Sequence, residues 1–85
     1  MRIQAEDTPI KDLIILKPEV FKDDRGFFSE IYRKDQFEEI GIPGDFVQLN
    51  HSRSSRNILR GLHFQWEPPM GKLMRVTVGT AFLVA

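Results

Sequence analysis

The 85-residue chain contains no cysteine, so neither a disulfide nor a thiolate metal site can reinforce its fold. That absence fits a reducing compartment. Net charge is missing as well, since 12 Lys plus Arg balance 12 Asp plus Glu. Bulk electrostatic attraction to nucleic acid or to an acidic membrane is therefore not indicated. No apolar run has the length needed to cross a bilayer. The start, Met1-Arg2-Ile3-Gln4-Ala5-Glu6-Asp7, lacks the basic-then-apolar order of a signal peptide. The expectation is a cytoplasmic protein with no nucleic-acid or membrane partner. Repeats, low-complexity segments, glycine-rich phosphate loops and nucleophile elbows are also missing. One domain at most is expected, over residues 1–85, and a chain this short is marginal alone.

What is present reads as mostly β with one short helix. Leu13-Ile14-Ile15-Leu16 is an apolar run of strand length, closed by Lys17-Pro18. Val20-Phe21 leads into Lys22-Asp23-Asp24-Arg25-Gly26, a strong turn signal. The aromatic-rich stretch from Phe27 to Arg33 predicts a strand. Asp35 to Gly41 predicts a helix, with Phe37 and Ile40 on one face and Gly41 as terminator. Ile42-Pro43-Gly44-Asp45 reads as loop. Extended structure is expected to resume over Phe46–Ser52, with Val47 and Leu49 facing one way and Gln48 and Asn50 the other. Arg53 to Asn57 is a turn, Ile58 to Gln65 a strand, and Trp66 to Gly71 a loop, because Pro68 and Pro69 remove ladder donors. Lys72 to Val78 is a strand, Gly79-Thr80 a tight turn, and Ala81 to Ala85 its hairpin partner. This pattern predicts a sandwich or barrel.

The stretch richest in chemistry is Leu59-Arg60-Gly61-Leu62-His63-Phe64-Gln65, followed by Gly71-Lys72-Leu73. Histidine is the usual neutral base near pH 7, and His63 sits in an apolar, strand-like run. It is either a structural histidine bonded to backbone or a general base. Arg60, in the same run, needs a partner for its charge. A ligand phosphate and a buried carboxylate both qualify. Strict alternation puts Arg60 and His63 on opposite faces, and Gly61 could allow a bulge that re-aims one of them. Lys72 is either a surface lysine or a cation that steadies an enolate oxygen. Arg25 and Glu30 flank Phe27-Phe28 and read as turn and packing, or as the lip of a sugar or phosphate site. Arg53 and Arg56 read as a solvated turn. Metal ligation is disfavoured: the two histidines, His51 and His63, stand twelve positions apart, and no His-x-His occurs.

Four motifs recur together in order: Phe21 to Glu30, Phe46 to Ser54, Leu59 to Gln65, and Gly71 to Val76. With this spacing the chain, from about Leu13 to Ala85, resembles the N-terminal half of the dTDP-4-dehydrorhamnose 3,5-epimerases. The resemblance implies a cupin-like jelly roll, partial here, in a homodimer whose N-terminal strands are exchanged. It implies a nucleotide-sugar substrate, dTDP-4-dehydro-6-deoxyglucose, no metal and no cofactor. By resemblance, His63 is the general base and Lys72 lies near the C4 keto oxygen. Arg60, Gln48 and Asn50 match positions that bind the nucleotide sugar. Arg25 and Glu30 match residues that reach the neighbouring subunit's site. The family's acid-side tyrosine and its base-orienting aspartate match nothing in this chain, because family members run to roughly twice this length.

A non-catalytic cupin-like half that dimerises or binds nucleotide sugar is the alternative, and a metal-dependent cupin oxygenase is a weaker third. Phe82-Leu83-Val84-Ala85 is apolar and has no closing turn. The expectation is a fragment, or a strand edge covered by another chain.

Overall fold

The computed structural model describes residues 2–42 and 45–85, with elements β1 (Ile3–Asp7), β2 (Ile14–Pro18), β3 (Val20–Asp23), β4 (Gly26–Ser29) and α1 (Lys34–Ile40). The chain divides into two units, residues 1–48 and 49–85. All five elements lie in the first.

Strand β1 was not legible as a strand in the sequence; it pairs antiparallel with β2, Ala5 opposite Leu16 and Asp7 opposite Ile14. The connection is built by Thr8. Its hydroxyl donates toward the Leu13 carbonyl at 2.8 Å, with the Ile10 carbonyl at 3.0 Å, and accepts the Ile10 N–H at 3.2 Å. Such local side-chain bonds stabilise turns in place of ladder pairing. Across the ladder, Lys17 Nζ lies 2.5 Å from Glu6 Oε2. These are diagonal neighbours, since Lys17 faces Gln4 and Glu6 faces Ile15. Both side chains are more than half exposed, so the pair adds little.

The second sheet is the hairpin of β3 and β4, with Phe21 opposite Phe28 and Asp23 opposite Gly26. Asp24 and Arg25 form its two-residue loop, where the sequence placed the turn. The strand predicted over Phe27–Arg33 is thus displaced to Gly26–Ser29. The Ser29 hydroxyl donates to the Glu19 carbonyl at 2.8 Å, and the Glu19 N–H donates to the Arg2 carbonyl at 2.9 Å. These bonds tie the hairpin's base to the start of β1.

Helix α1 agrees with the predicted one to within a residue. Asp35 places a carboxylate in its first turn, where the helix dipole favours it. Gly41 ends it at φ 92°, with its N–H on the Glu38 carbonyl at 3.0 Å and the Ile42 N–H on the Phe37 carbonyl at 2.9 Å. That pair of bonds is a Schellman closure. A Cβ on Gly41 would meet nothing within 4 Å, so replacing the glycine costs backbone strain alone. Gly41→Ala is expected to lower stability by about 1–2 kcal/mol, read as a reduced urea midpoint with unchanged helical circular dichroism.

The core is small. Ile3 and Phe37 are the buried hydrophobic residues among those described. The Ile3 N–H donates to Gln36 Oε1 at 3.0 Å, which links β1 to α1. Tyr32 packs edge-on against Phe37 at 4.7 Å and against Phe46 at 5.9 Å.

The predicted strands over 46–52, 58–65, 72–78 and 81–85 are not formed. The turns between them are better matched: turn geometry falls at Arg56-Asn57 and at Trp66 to Pro69, and a bend spans Thr77 to Gly79. The Gln65 side-chain amide donates to the Pro68 carbonyl at 2.8 Å, pinning the second turn. Every residue from 49 to 85 is exposed. A strand holds only when a neighbour completes its ladder and covers one face, and that condition is not met there. Among the described residues the sheets close into no barrel or jelly roll, so the architecture is two two-stranded antiparallel sheets with one short helix. The predicted loop at Ile42–Asp45 includes Pro43 and Gly44, which lie outside the described residues.

Candidate functional site

The seven residues singled out by the sequence fall in both units. Arg25, Glu30 and Gln48 belong to residues 1–48; Asn50, Arg60, His63 and Lys72 belong to 49–85. Arg25 stands at the β3–β4 hairpin tip with its side chain 90% exposed. Asp23 holds it there. One Asp23 oxygen accepts the Arg25 backbone N–H at 2.8 Å, and the other accepts Nε at 3.1 Å and Nη2 at 2.5 Å. The sequence marked this stretch as a turn but gave no sign that Asp23 would position the arginine.

The Arg25 guanidinium, and after it the Arg25 backbone N–H, hold the Asp23 carboxyl below the usual carboxylate range. The same pairing raises Arg25. Because the folded value of Asp23 is depressed, the latch is fully present above the unfolded carboxyl's range of about 3.9. It is lost as pH falls through the lower folded value. The Asp23 side-chain carbon signal is expected to titrate below that of an ordinary aspartate. The same acid range should loosen the Arg25 Nε–H, and Asp23→Asn should abolish this response.

Glu30 is mostly covered, its side chain 19% exposed, with Arg33 Nε at 3.9 Å. Arg33 bonds more closely to Asp35, at 2.8 Å.

In residues 49–85, Arg60 donates from Nε to the Ser54 hydroxyl at 2.7 Å and from Nη2 to the Arg53 carbonyl at 3.1 Å. A buried carboxylate, one of the partners considered for it in the sequence, is not among these bonds. The serine-rich turn fastens the arginine instead, and Arg53 takes part through its backbone. Gly61 adopts φ 112°, a conformation side chains resist, and folds back toward His63. A Cβ there would lie 3.7 Å from both the His63 backbone nitrogen and its Nδ1. No strand forms here, so the expected opposition of Arg60 and His63 across a sheet does not apply. His51, His63 and Lys72 are exposed.

Two shallow clefts, of about 530 and 320 Å³, are lined by Arg2, Arg33, Gln36 and Glu39 and by Thr8, Lys11 and Asp12, among others. Neither contains a residue singled out from the sequence. Both lack the enclosed apolar walls of a ligand pocket. Among the described residues there is no group of three or more His, Asp or Glu side chains that could hold a metal ion. Among the described residues, no helix is long and apolar enough to cross a membrane.

Over residues 7–85 the chain matches the model of a family of sugar-nucleotide isomerases described as dTDP-4-dehydrorhamnose 3,5-epimerase. Curated relatives of that name are similar along nearly the whole chain. The Pseudomonas aeruginosa protein is 52% identical over 84 residues, which covers 98% of this chain and 46% of the relative. The Escherichia coli (strain K12) protein is 58% identical over 80 residues, covering 92% and 43%. The Salmonella typhimurium protein is 56% identical over 80 residues, covering 92% and 44%. No solved structure matches the chain. The chain belongs to the dTDP-4-dehydrorhamnose 3,5-epimerase family. It spans about half the length of the curated relatives it matches.

Proposed function

We propose that residues 1–85 are the N-terminal part of a single cupin-like epimerase domain. Its reaction is the 3,5-epimerisation of dTDP-4-dehydro-6-deoxyglucose on the way to dTDP-L-rhamnose. The observation that carries this reading is the family match over residues 7–85, which includes all four motifs and the seven candidate residues.

The chemistry follows from the ketone. A proton on carbon next to C4 leaves only if the electron pair it abandons is stabilised as an enolate. His63 takes the proton as general base, and the Lys72 ammonium balances the charge that develops on the C4 oxygen. Return of a proton to the opposite face inverts the centre, at C3 and at C5. Arg60, Gln48 and Asn50 hold the nucleotide sugar. Arg25 and Glu30 reach across to a second subunit's site in a cytoplasmic homodimer. The exposed guanidinium of Arg25, fixed at a hairpin tip, supports a role in contacting a molecule beyond its own unit.

The test is deuterium incorporation at C3 and C5 of the sugar in D₂O, read by NMR. Two proteins are compared: the 85-residue chain, and the same chain continued by the remaining part of the Escherichia coli relative. Fast exchange by the continued chain, well above that of the 85 residues alone, is the expected result. A continued chain that folds and binds dTDP but promotes no exchange would leave a nucleotide-sugar-binding module and overturn the catalytic reading.

A further inference from the structure

An arginine at a two-residue hairpin tip, with its side chain 90% exposed, would ordinarily sample many directions. Arg25 is instead tied at its backbone and at its side chain to one carboxylate. The two Asp23 oxygens have separate tasks. Oδ1 accepts the Arg25 backbone N–H at 2.8 Å, the bond of an Asx-turn, which shapes the loop. Oδ2 accepts Nε at 3.1 Å and Nη2 at 2.5 Å, which fixes the guanidinium plane. A guanidinium carries five N–H donors in a rigid fork. Asp23 occupies the edge formed by Nε and Nη2. The end edge, Nη1 with the second Nη2 hydrogen, forms no bond among the described residues. Such an edge matches two oxygens of one phosphate. Glu30, the nearest candidate carboxylate in sequence after the turn, faces Arg33 and does not compete for it.

An exposed pair of this kind adds little to stability. Its effect lies in how Arg25 meets an anion, and two influences oppose each other there. The carboxylate cancels part of the guanidinium charge, which weakens anion binding. It also orders the side chain before the ligand arrives. In water the first is small, because the carboxylate's repulsion of a ligand beyond the guanidinium is screened. Immobilising one rotamer-rich side chain on binding costs about two- to tenfold in affinity. Orientation therefore outweighs neutralisation.

We propose that Asp23 is a positioning residue, which holds the Arg25 guanidinium so that its free edge meets phosphate oxygens of the nucleotide sugar. The proposal rests on the reading of Arg25 as a contact to that molecule. Asp23 itself touches no substrate and acts through the arginine.

The experiment measures the Kd of dTDP by calorimetry on the chain continued by the remaining part of the Escherichia coli relative. Arg25→Ala is expected to weaken binding at least tenfold, and Asp23→Asn about two- to tenfold. Asparagine keeps an oxygen for the Arg25 backbone N–H, so the hairpin amide signals should stay in place. In an Arg25→Ala background the Asp23→Asn effect should vanish. Asp24→Asn removes the same charge one position along. Asp24 is exposed and takes no part in the bonds to Arg25, so its change should leave Kd unaltered. One measurement needs no variant: the order parameter of Arg25 Nε in the unliganded 85-residue chain, expected close to the rigid-backbone value of about 0.85. Asp23→Asn binding dTDP as well as the parent or better, while Arg25→Ala binds it worse, overturns the proposal and leaves the reading of Arg25 intact. An Nε order parameter below about 0.6 does the same. Unchanged binding in Arg25→Ala overturns both.

Discussion

His63→Asn is expected to reduce enzyme-dependent deuterium incorporation at C3 and C5 by about 10²–10⁴-fold in the chain continued by the Escherichia coli remainder. Asparagine is close to histidine in reach and keeps a hydrogen-bonding end, so binding and folding should be spared. It cannot accept a proton from carbon. The loss should therefore fall on the rate of exchange, with KM little changed, as expected for an interaction made only in the transition state. Lys72→Gln provides the contrast. On the roles proposed above it leaves the base in place but removes the charge assigned to the enolate, so exchange at both carbons should slow together. Near-normal exchange in His63→Asn would remove His63 from the base role. Loss at C5 alone would mean that another group serves C3.

Phe37→Ala is expected to unfold residues 1–48. Phe37 is 2% exposed and, with Ile3, makes up the buried apolar core among the described residues. Truncating a buried phenylalanine costs about 3–5 kcal/mol. Whole domains are stable by only about 5–15 kcal/mol, and one this small sits at the low end. The change also removes the edge-on contact with Tyr32 and the side chain above the Schellman closure. The helical circular dichroism should vanish at room temperature, and amide protection should disappear from β1 through α1 together. Phe37→Leu, which keeps most of the buried volume, should retain the fold with a lowered midpoint. If Phe37→Ala melts cooperatively near the parent's temperature, the core must lie elsewhere.

The two halves of the chain differed in how much could be read from sequence. The hairpin turn at Asp23–Gly26 and the helix ending at Gly41 were legible because their signals are local. Acidic and glycine residues dictate the turn, and Phe37, Ile40 and Gly41 dictate the helix and its stop. Strand β1 was not legible, because Ile3-Gln4-Ala5-Glu6-Asp7 has weak strand composition and is held by its partner Ile14–Pro18. The alternation in 58–65 and 72–78 was read as strands. Alternation states which face a strand would bury, but not that something is there to bury it. For the site, residue types and spacing identified His63, Lys72 and Arg60 as candidates. The fastening of Arg60 by Ser54 and the Arg53 carbonyl, and of Arg25 by Asp23, depends on side-chain geometry that spacing alone does not encode.

The unladdered backbone of residues 49–85 also determines how a protease would treat the molecule. Trypsin-like enzymes need a stretch they can draw into the cleft, and Arg53, Arg60, Lys72 and Arg75 all stand in exposed chain outside any strand, helix or turn. Digestion should trim the protein from that side and spare the hairpins and helix for longest. In a cell, residues 49–85 would then be the segment that sets the protein's lifetime.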